Sequence, residues 1–432
     1  MTWAVRFAIA AAASFFGFGL ASAKDPPTKA NVPVPPADVI AAWEKAGCRY
    51  GAIRINGFFK ASTYPASDEL PGFEIEAIPS KRLADLPAIE VPFGIELSMR
   101  YPEEALGKLA GLKRLRILSL ANTSATDAGL KQVSGFAELE SLDLFDTKVT
   151  DTGLRELREL EQLRWLHLSN TKVTGTGFRE LVKLKRLRTL YLYSSKVTDA
   201  GLKELTKLIQ LQTIDLRDTN VTDEGMEYLG ALKHLHSLDL TRTKITDRGL
   251  KKLIGLEQLQ ELDLGGTRVT NSGLKELIAL KQLQSVDLGD THVDDEGLKE
   301  LAALKQLQAL GLYGTKVTDV GLKQLAGLTQ LQWLVLSDTQ VTDAGLTELG
   351  GLKRLRELKL SGTHVTDAGL NELVGFEQLE TLYLNETRMT DAGLKQLSQF
   401  KHLQTLYLKN TQVTDTGVNE LKKSLPQLDI SR

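Results

Sequence analysis

From about residue 101 onward, apolar positions return in a fixed rhythm of 24 residues. In the coil that begins at Asp151, Leu154, Leu157 and Leu160 step by three, as along a short helical turn. Leu163 then leads to Leu166 and Leu168, which alternate with polar residues as on a strand, and Val173 closes the coil. Gly129 recurs in step through residue 417, 13 copies in all. A hydroxyl residue recurs from Thr123 to Thr411, with Ser195 the one Thr-to-Ser change. The aspartate at 127 recurs 11 times in 13, replaced by Gly175 and Asn271. Only after Leu421 does the register slip, by one residue, into LPQLDI.

Such a coil cannot stand alone, because seven buried side chains do not offset the entropy of ordering 24 residues. Stacked coils bury one another's faces and gain hydrogen bonds through a continuous parallel sheet. Strands stack at about 4.8 Å and helices at about 10 Å, so the stack curves with the sheet on its inner wall. Thirteen strands make an arc on the order of 60 Å. The recurring hydroxyl sits where the chain leaves the strand and is expected to satisfy loop N–H and C=O groups. The Thr-Asp pair before each helix is expected to supply an N-cap oxygen, and the glycine two residues later to permit close approach between coils.

The unit Leu163-Arg-Trp-Leu166-His-Leu168-Ser-Asn-Thr171, with the TDAGLKEL half that follows such units, resembles the leucine-rich-repeat family. The subtype is similar to repeats of secreted bacterial proteins and of F-box substrate receptors. The resemblance covers roughly residues 101 to 430 and implies an α/β fold: a curved solenoid, or horseshoe, with an inner parallel β-sheet and outer short helices. It does not identify a ligand.

The remaining segments fit around this array. Residues 1–23 read as a signal peptide: Arg6 is the only charge, Phe7 to Leu20 is apolar, and Ala21-Ser22-Ala23 fits a cleavage site. Residues 24–37 carry five prolines and read as a linker. Residues 38–100 form an expected N-terminal cap, with a helix over Asp38 to Ala46 and short strands at Ala52 to Ile55, Phe73 to Ile75 and Ile95 to Leu97. The repeats run over 101–424, and 425–432 offers a thin C-terminal cap.

Charge changes this picture little. The chain has 53 Lys+Arg against 55 Asp+Glu, with no basic excess for nucleic acid. Its one cysteine, Cys48, allows no intrachain disulfide and reads as a small buried thiol. No nucleotide-binding glycine loop or zinc-protease motif occurs, and neither cofactor nor metal is expected.

The residues around each Leu-x-Leu face the hollow side and are uneven along the array. Early coils place Phe145, Trp165, His167, Tyr191 and Tyr193 close together. The next four set Asp215, Asp239, Asp263 and Asp287 on adjacent strands, with Arg217 and Arg242 nearby. Tyr313, Trp333, Tyr383 and Tyr407 follow, with Lys359 and Lys409. The aspartates are expected to be a solvated face, with a cationic partner or divalent ion as the sharper alternative. The aromatics point to binding, since such side chains favour interaction hot spots. Asp143 and His167, with Ser119 and Ser169 near, lack an oxyanion hole and shielding from water, so no enzyme is expected. His234 and His236 lack a third zinc ligand, and His292 and His364 read as solvated.

These readings converge on an exported, non-catalytic protein that binds a protein or glycan on its concave wall. The export signal places it in the periplasm, cell envelope or extracellular space. One alternative is a structural envelope protein without a single partner. Another is an F-box-like receptor, which the export signal disfavours.

Overall fold

The computed structural model describes residues 32–55, 59–60, 69–76, 85–98, 103–109 and 111–432. The expected signal peptide and most of the proline-rich linker lie outside them. Helix α1 (Ala37–Lys45) leads into β1 (Cys48–Arg54), which pairs antiparallel with β2 (Phe59–Lys60) and β3 (Glu69–Ile75). From β3 on, pairing is parallel, through β4 (Phe93–Leu97) and β5 (Leu115–Ser119). One three-residue strand per coil follows: β6 (Ser141–Asp143), β7 (Trp165–His167), β8 (Thr189–Tyr191), β9 (Thr213–Asp215), β10 (Ser237–Asp239), β11 (Glu261–Asp263), β12 (Ser285–Asp287), β13 (Ala309–Gly311), β14 (Trp333–Val335), β15 (Glu357–Lys359), β16 (Thr381–Tyr383), β17 (Thr405–Tyr407) and β18 (Asp429–Ser431). Together they form one open 18-stranded sheet on the inner wall of a curved solenoid.

The strand register follows the 24-residue rhythm, as in Leu238 opposite Leu262 and Leu262 opposite Val286. The one-residue slip after Leu421 is absorbed by the longer helix Asp415–Ser424, and Ile430 regains the register opposite Leu406. Within the coil from Asp151, Leu154, Leu157, Leu160, Leu163, Leu166, Leu168 and Val173 are all fully buried. Upstream, α1 spans nearly the predicted residues, but β1, β3 and β4 are longer than the local pattern predicts. Their extra length comes from pairing with one another, which no local pattern displays. Trp43 anchors α1 to this part of the sheet: its ring lies 4.8 Å from Phe73, and its Nε1–H donates to Pro87 O at 3.1 Å. Cys48 is buried, and burial pushes its thiol up to about 12.

Two polar columns hold the coils in shape. Thr315 Oγ1 donates to Leu312 O at 2.7 Å, and the same bond recurs at Thr123, Thr147, Thr171, Thr219, Thr243, Thr267, Thr291, Thr339, Thr363, Thr387 and Thr411. Ser195, without the methyl that orients the threonines, leaves its buried hydroxyl unpaired.

The second column divides the role expected of the Thr-Asp pair. The threonine caps its own helix, as where Thr342 Oγ1 accepts from Ala344 N. The aspartate instead reaches the next coil: Asp319 accepts from Thr342 N at 2.8 Å and from Thr342 Oγ1 at 2.6 Å. This clasp repeats at Asp127, Asp199, Asp223, Asp247, Asp295, Asp343, Asp367 and Asp391. The recurring glycine makes room for it, since a Cβ on Gly345 would strike Asp319 Oδ1. At the start of the array Glu103 performs the same task, accepting from Thr126 N, Thr126 Oγ1 and Gly129 N.

Two coils depart from the clasp. Where Asn271 replaces aspartate, Asp294 replaces the partner threonine and the polarity of the side-chain bond reverses: Asn271 Nδ2 donates to Asp294 Oδ1 at 2.6 Å, while Asn271 Oδ1 accepts from Asp294 N at 3.0 Å. Where Gly175 stands there is no carboxylate for Thr198. Gly175 adopts φ +97°, and the preceding Asp151 bonds Thr174, Gly175 and Gly177. Burial opposes the charge on Asp151, but these bonds hold it below the usual carboxylate range.

Candidate functional site

The concave wall is built from three adjacent columns, two of them the outward positions on either side of the central strand residue. The third follows the strand, just before a residue that leaves it with positive φ, such as Asn170, Asp218 or Gly266. All thirteen candidate residues lie in these columns. Trp165, His167, Tyr191, Asp215, Asp239, Asp263, Asp287, Trp333, Tyr383 and Tyr407 are on strands. Phe145, Tyr193 and Tyr313 lie two residues beyond a strand.

The structure brings the early aromatics into one cluster. Trp165 meets His167 edge-on at 5.3 Å and Tyr191 at 5.5 Å, and Phe145 lies 5.4 Å from His167. Trp165 is thereby only 6% exposed, so its indole belongs to the packing and not to the free surface. Burial, then the charge of Asp215, raises the phenol of Tyr191. Tyr193 lies under the Arg217 guanidinium at 5.1 Å. Toward the other end, Tyr383 and Tyr407 stack in parallel at 4.2 Å, with the Lys359 ammonium 4.9 Å from the Tyr383 ring. Tyr313 is 43% exposed.

The four aspartates stand directly opposite one another on β9 to β12. The expectation of a solvated face does not hold. Asp215 is 6% exposed, and the other three are half-buried, because side chains on strands about 4.8 Å apart shield each other. Arg217 neutralises one end, reaching Asp215 at 2.6 Å and Asp239 at 3.0 Å. Burial opposes the charge on Arg217, but the bonds to Asp215 raise its proton affinity above the ordinary value. Asp239 and Asp287 accept the N–H of the residue two ahead, Thr241 and Gly289. The Asp263 carboxylate accepts no hydrogen bond among the described residues. Burial and then Asp215 push Asp239 up to about 7; burial and then Asp239 raise Asp263, and burial raises Asp287. Arg242 is turned away from the ladder, onto Asp218.

Other candidates assemble less. His167 Nδ1 pairs with Asp143 Oδ1 at 3.1 Å, but the buried Ser169 hydroxyl has no partner, so no bond joins it to the histidine. Among the described residues, no group of three or more His, Cys, Asp or Glu could hold a metal ion. His234, His292 and His364 are exposed, and His236 is half-buried.

Sequence reasoning missed the column just before the strands. Gln332 Nε2 donates to Gln308 Oε1, and Gln308 Nε2 to Gln284 Oε1, both at 3.3 Å. Gln284 and Gln308 border a small cleft completed by Gln260, Glu261, Ser285, Ala309 and Trp333. The signal was present, since Gln260, Gln284, Gln308 and Gln332 recur at the same 24-residue step.

Residues 176–319 match the sequence model described as a leucine-rich repeat region, and residues 139–157 and 353–374 match a leucine-rich repeat model. No match was found among curated proteins. Among solved structures, a leucine-rich-repeat protein of Leptospira interrogans is 23% identical, with a TM-score of 0.55 over 83% of this chain and 93% of that one. That likeness shows the fold. An internalin from Listeria monocytogenes is 22% identical, with a TM-score of 0.48 over 76% of this chain and 88% of that one. Internalin C2 from the same organism is 29% identical, with a TM-score of 0.39 over 50% and 84%.

Proposed function

From the premise that this chain is a leucine-rich-repeat protein, we propose that it is a non-catalytic binding module whose protein partner lies along the concave wall. Repeat solenoids use such extended inner surfaces for binding. The observation that carries the reading is Tyr313. It is 43% exposed on the sheet face, beside positions without side chains at Gly265, Gly289 and Gly311. Folding does not require a large ring there, whereas hot spots favour one set in a hollow. Trp333, on the next strand, borders the small cleft at the start of the strands.

The test is photo-crosslinking in the native envelope fraction, with the crosslinker at position 313 or, as control, at Lys299 on the outer helix Asp295–Leu301. The expected partner crosslinks from 313 alone. Tyr313→Ala with Trp333→Ala lowers its affinity at least tenfold, as loss of about 2 kcal/mol at a hot spot requires. Equal crosslinking from both faces, or unchanged affinity, removes the reading.

The proposal includes export. Its support is the apolar run Phe7 to Leu20 followed by Ala21-Ser22-Ala23. Among the described residues no helix is long and apolar enough to cross a membrane.

A further inference from the structure

The aspartate ladder has more carboxyl groups than its surroundings can neutralise. Asp215, Asp239, Asp263 and Asp287 form an unbroken row across β9 to β12. Arg217 serves the first two. Asp263 lies between Asp239 and Asp287 and shares its strand with the half-buried Glu261, and its carboxylate receives no hydrogen bond among the described residues. Asp290 adds a further negative charge beyond Asp287, and Lys359 acts on Asp287 only through space. Beneath the row the sheet offers only the fully buried Ile214, Leu238, Leu262 and Val286. Carboxylates held side by side without a cation cannot all stay ionised; one takes a proton and donates it to its neighbour.

We propose that the ladder is a proton-sharing switch: Asp239 and Asp263 hold a proton between them in neutral solution and release it as the pH rises, changing the charge of the concave wall and loosening the middle of the sheet. The titration belongs to the row and not to either residue alone. Its direction follows from burial, the leading cause at both residues, and from repulsion along the row, where Asp215 acts on Asp239 and Asp239 with Asp287 acts on Asp263. A carboxyl group raised in the folded state contributes its stabilisation fully at low pH and loses it as the pH climbs through the folded value. The stabilisation is therefore lost progressively from about pH 4, the unfolded value, to about 7, where the folded row gives up its proton. The switch is a property of the free chain and does not depend on the binding function proposed above.

The experiment is an infrared difference titration of the full chain from about pH 5 to 9, paired with thermal melting over the same range, where the folded value at about 7 falls midway. The wild type is expected to show a protonated carboxylic-acid carbonyl band at the acidic end that vanishes through neutrality, while its melting temperature falls. Asp239→Asn combined with Asp263→Asn, both nearly isosteric and permanently neutral, should remove most of that band and flatten the melting curve, since Asp239 keeps its own cause of elevation in burial and Asp215. Asp415→Asn, at an exposed carboxylate, should leave both unchanged. Absence of the acid band in the wild type, or a band and melting curve unaltered in the double variant, overturns the proposal. So does an ionised ladder that takes up calcium, measured by calorimetry, in place of a proton.

Discussion

The reversed clasp between Asn271 and Asp294 permits a sharp test of how neighbouring coils are joined. In Asn271→Asp the donor that lies 2.6 Å from Asp294 Oδ1 becomes a second carboxylate oxygen. Two unit charges about 3 Å apart repel by about 1.4 kcal/mol in water and about 5.5 kcal/mol at an effective dielectric of 20. The pair is partly buried, so the expected cost, with one hydrogen bond of about 1 kcal/mol lost, is roughly 2–4 kcal/mol. Asp294→Thr alone keeps an acceptor for Asn271 and should cost about 0.5–1 kcal/mol. The double variant rebuilds the clasp seen at Asp319 and Thr342 and should return to within about 0.5 kcal/mol of the parent. The coupling is therefore favourable by about 3 kcal/mol. Urea unfolding measures the global change, and amide exchange at Asp294 and Glu296 isolates the joint, since Asp294 also caps the helix through Glu296 N. The single substitution should be milder near pH 3, where one carboxyl group is protonated. If Asn271→Asp costs the same in the parent as in the Asp294→Thr background, the clasp does not join the coils as described.

Two further outcomes follow from the sequence and the polar columns. Ser195→Thr should stabilise the protein by about 1 kcal/mol, because its hydroxyl would be oriented onto Leu192 O as its neighbours are on theirs; a urea midpoint unchanged or lowered contradicts this. The proposed export predicts a mature chain that begins at Lys24, read by N-terminal sequencing of the envelope fraction, and retention of residues 1–23 there contradicts cleavage.

The coil was legible because Leu166, Leu168 and Val173 repeat a pattern that only stacking can bury. Which residues face the hollow side was legible too, since alternation along a strand assigns the side. How those side chains lean on one another was not. Trp165 reads as an open aromatic, yet His167 and Tyr191 close over it. The aspartates read as solvated, yet their burial depends on neighbours 24 residues away. The aspartate before each helix looked like part of a local cap, whereas its partner lies 23 residues ahead on the next coil. That link had left a trace: Asn271 and Asp294 depart from their columns together.

The paired exception governs how the array could lengthen or shorten. Since each coil locks only to its neighbour, a block of 24 residues can be copied or lost wherever the two halves of the lock stay matched. Loss of residues 248–271 would break that rule, bringing Asp247 to face Asp294 with no side-chain donor between the two carboxylates. Inheritance of this gene segment is thus constrained at one joint: Asn271 and Asp294 must be duplicated, deleted or exchanged as a unit.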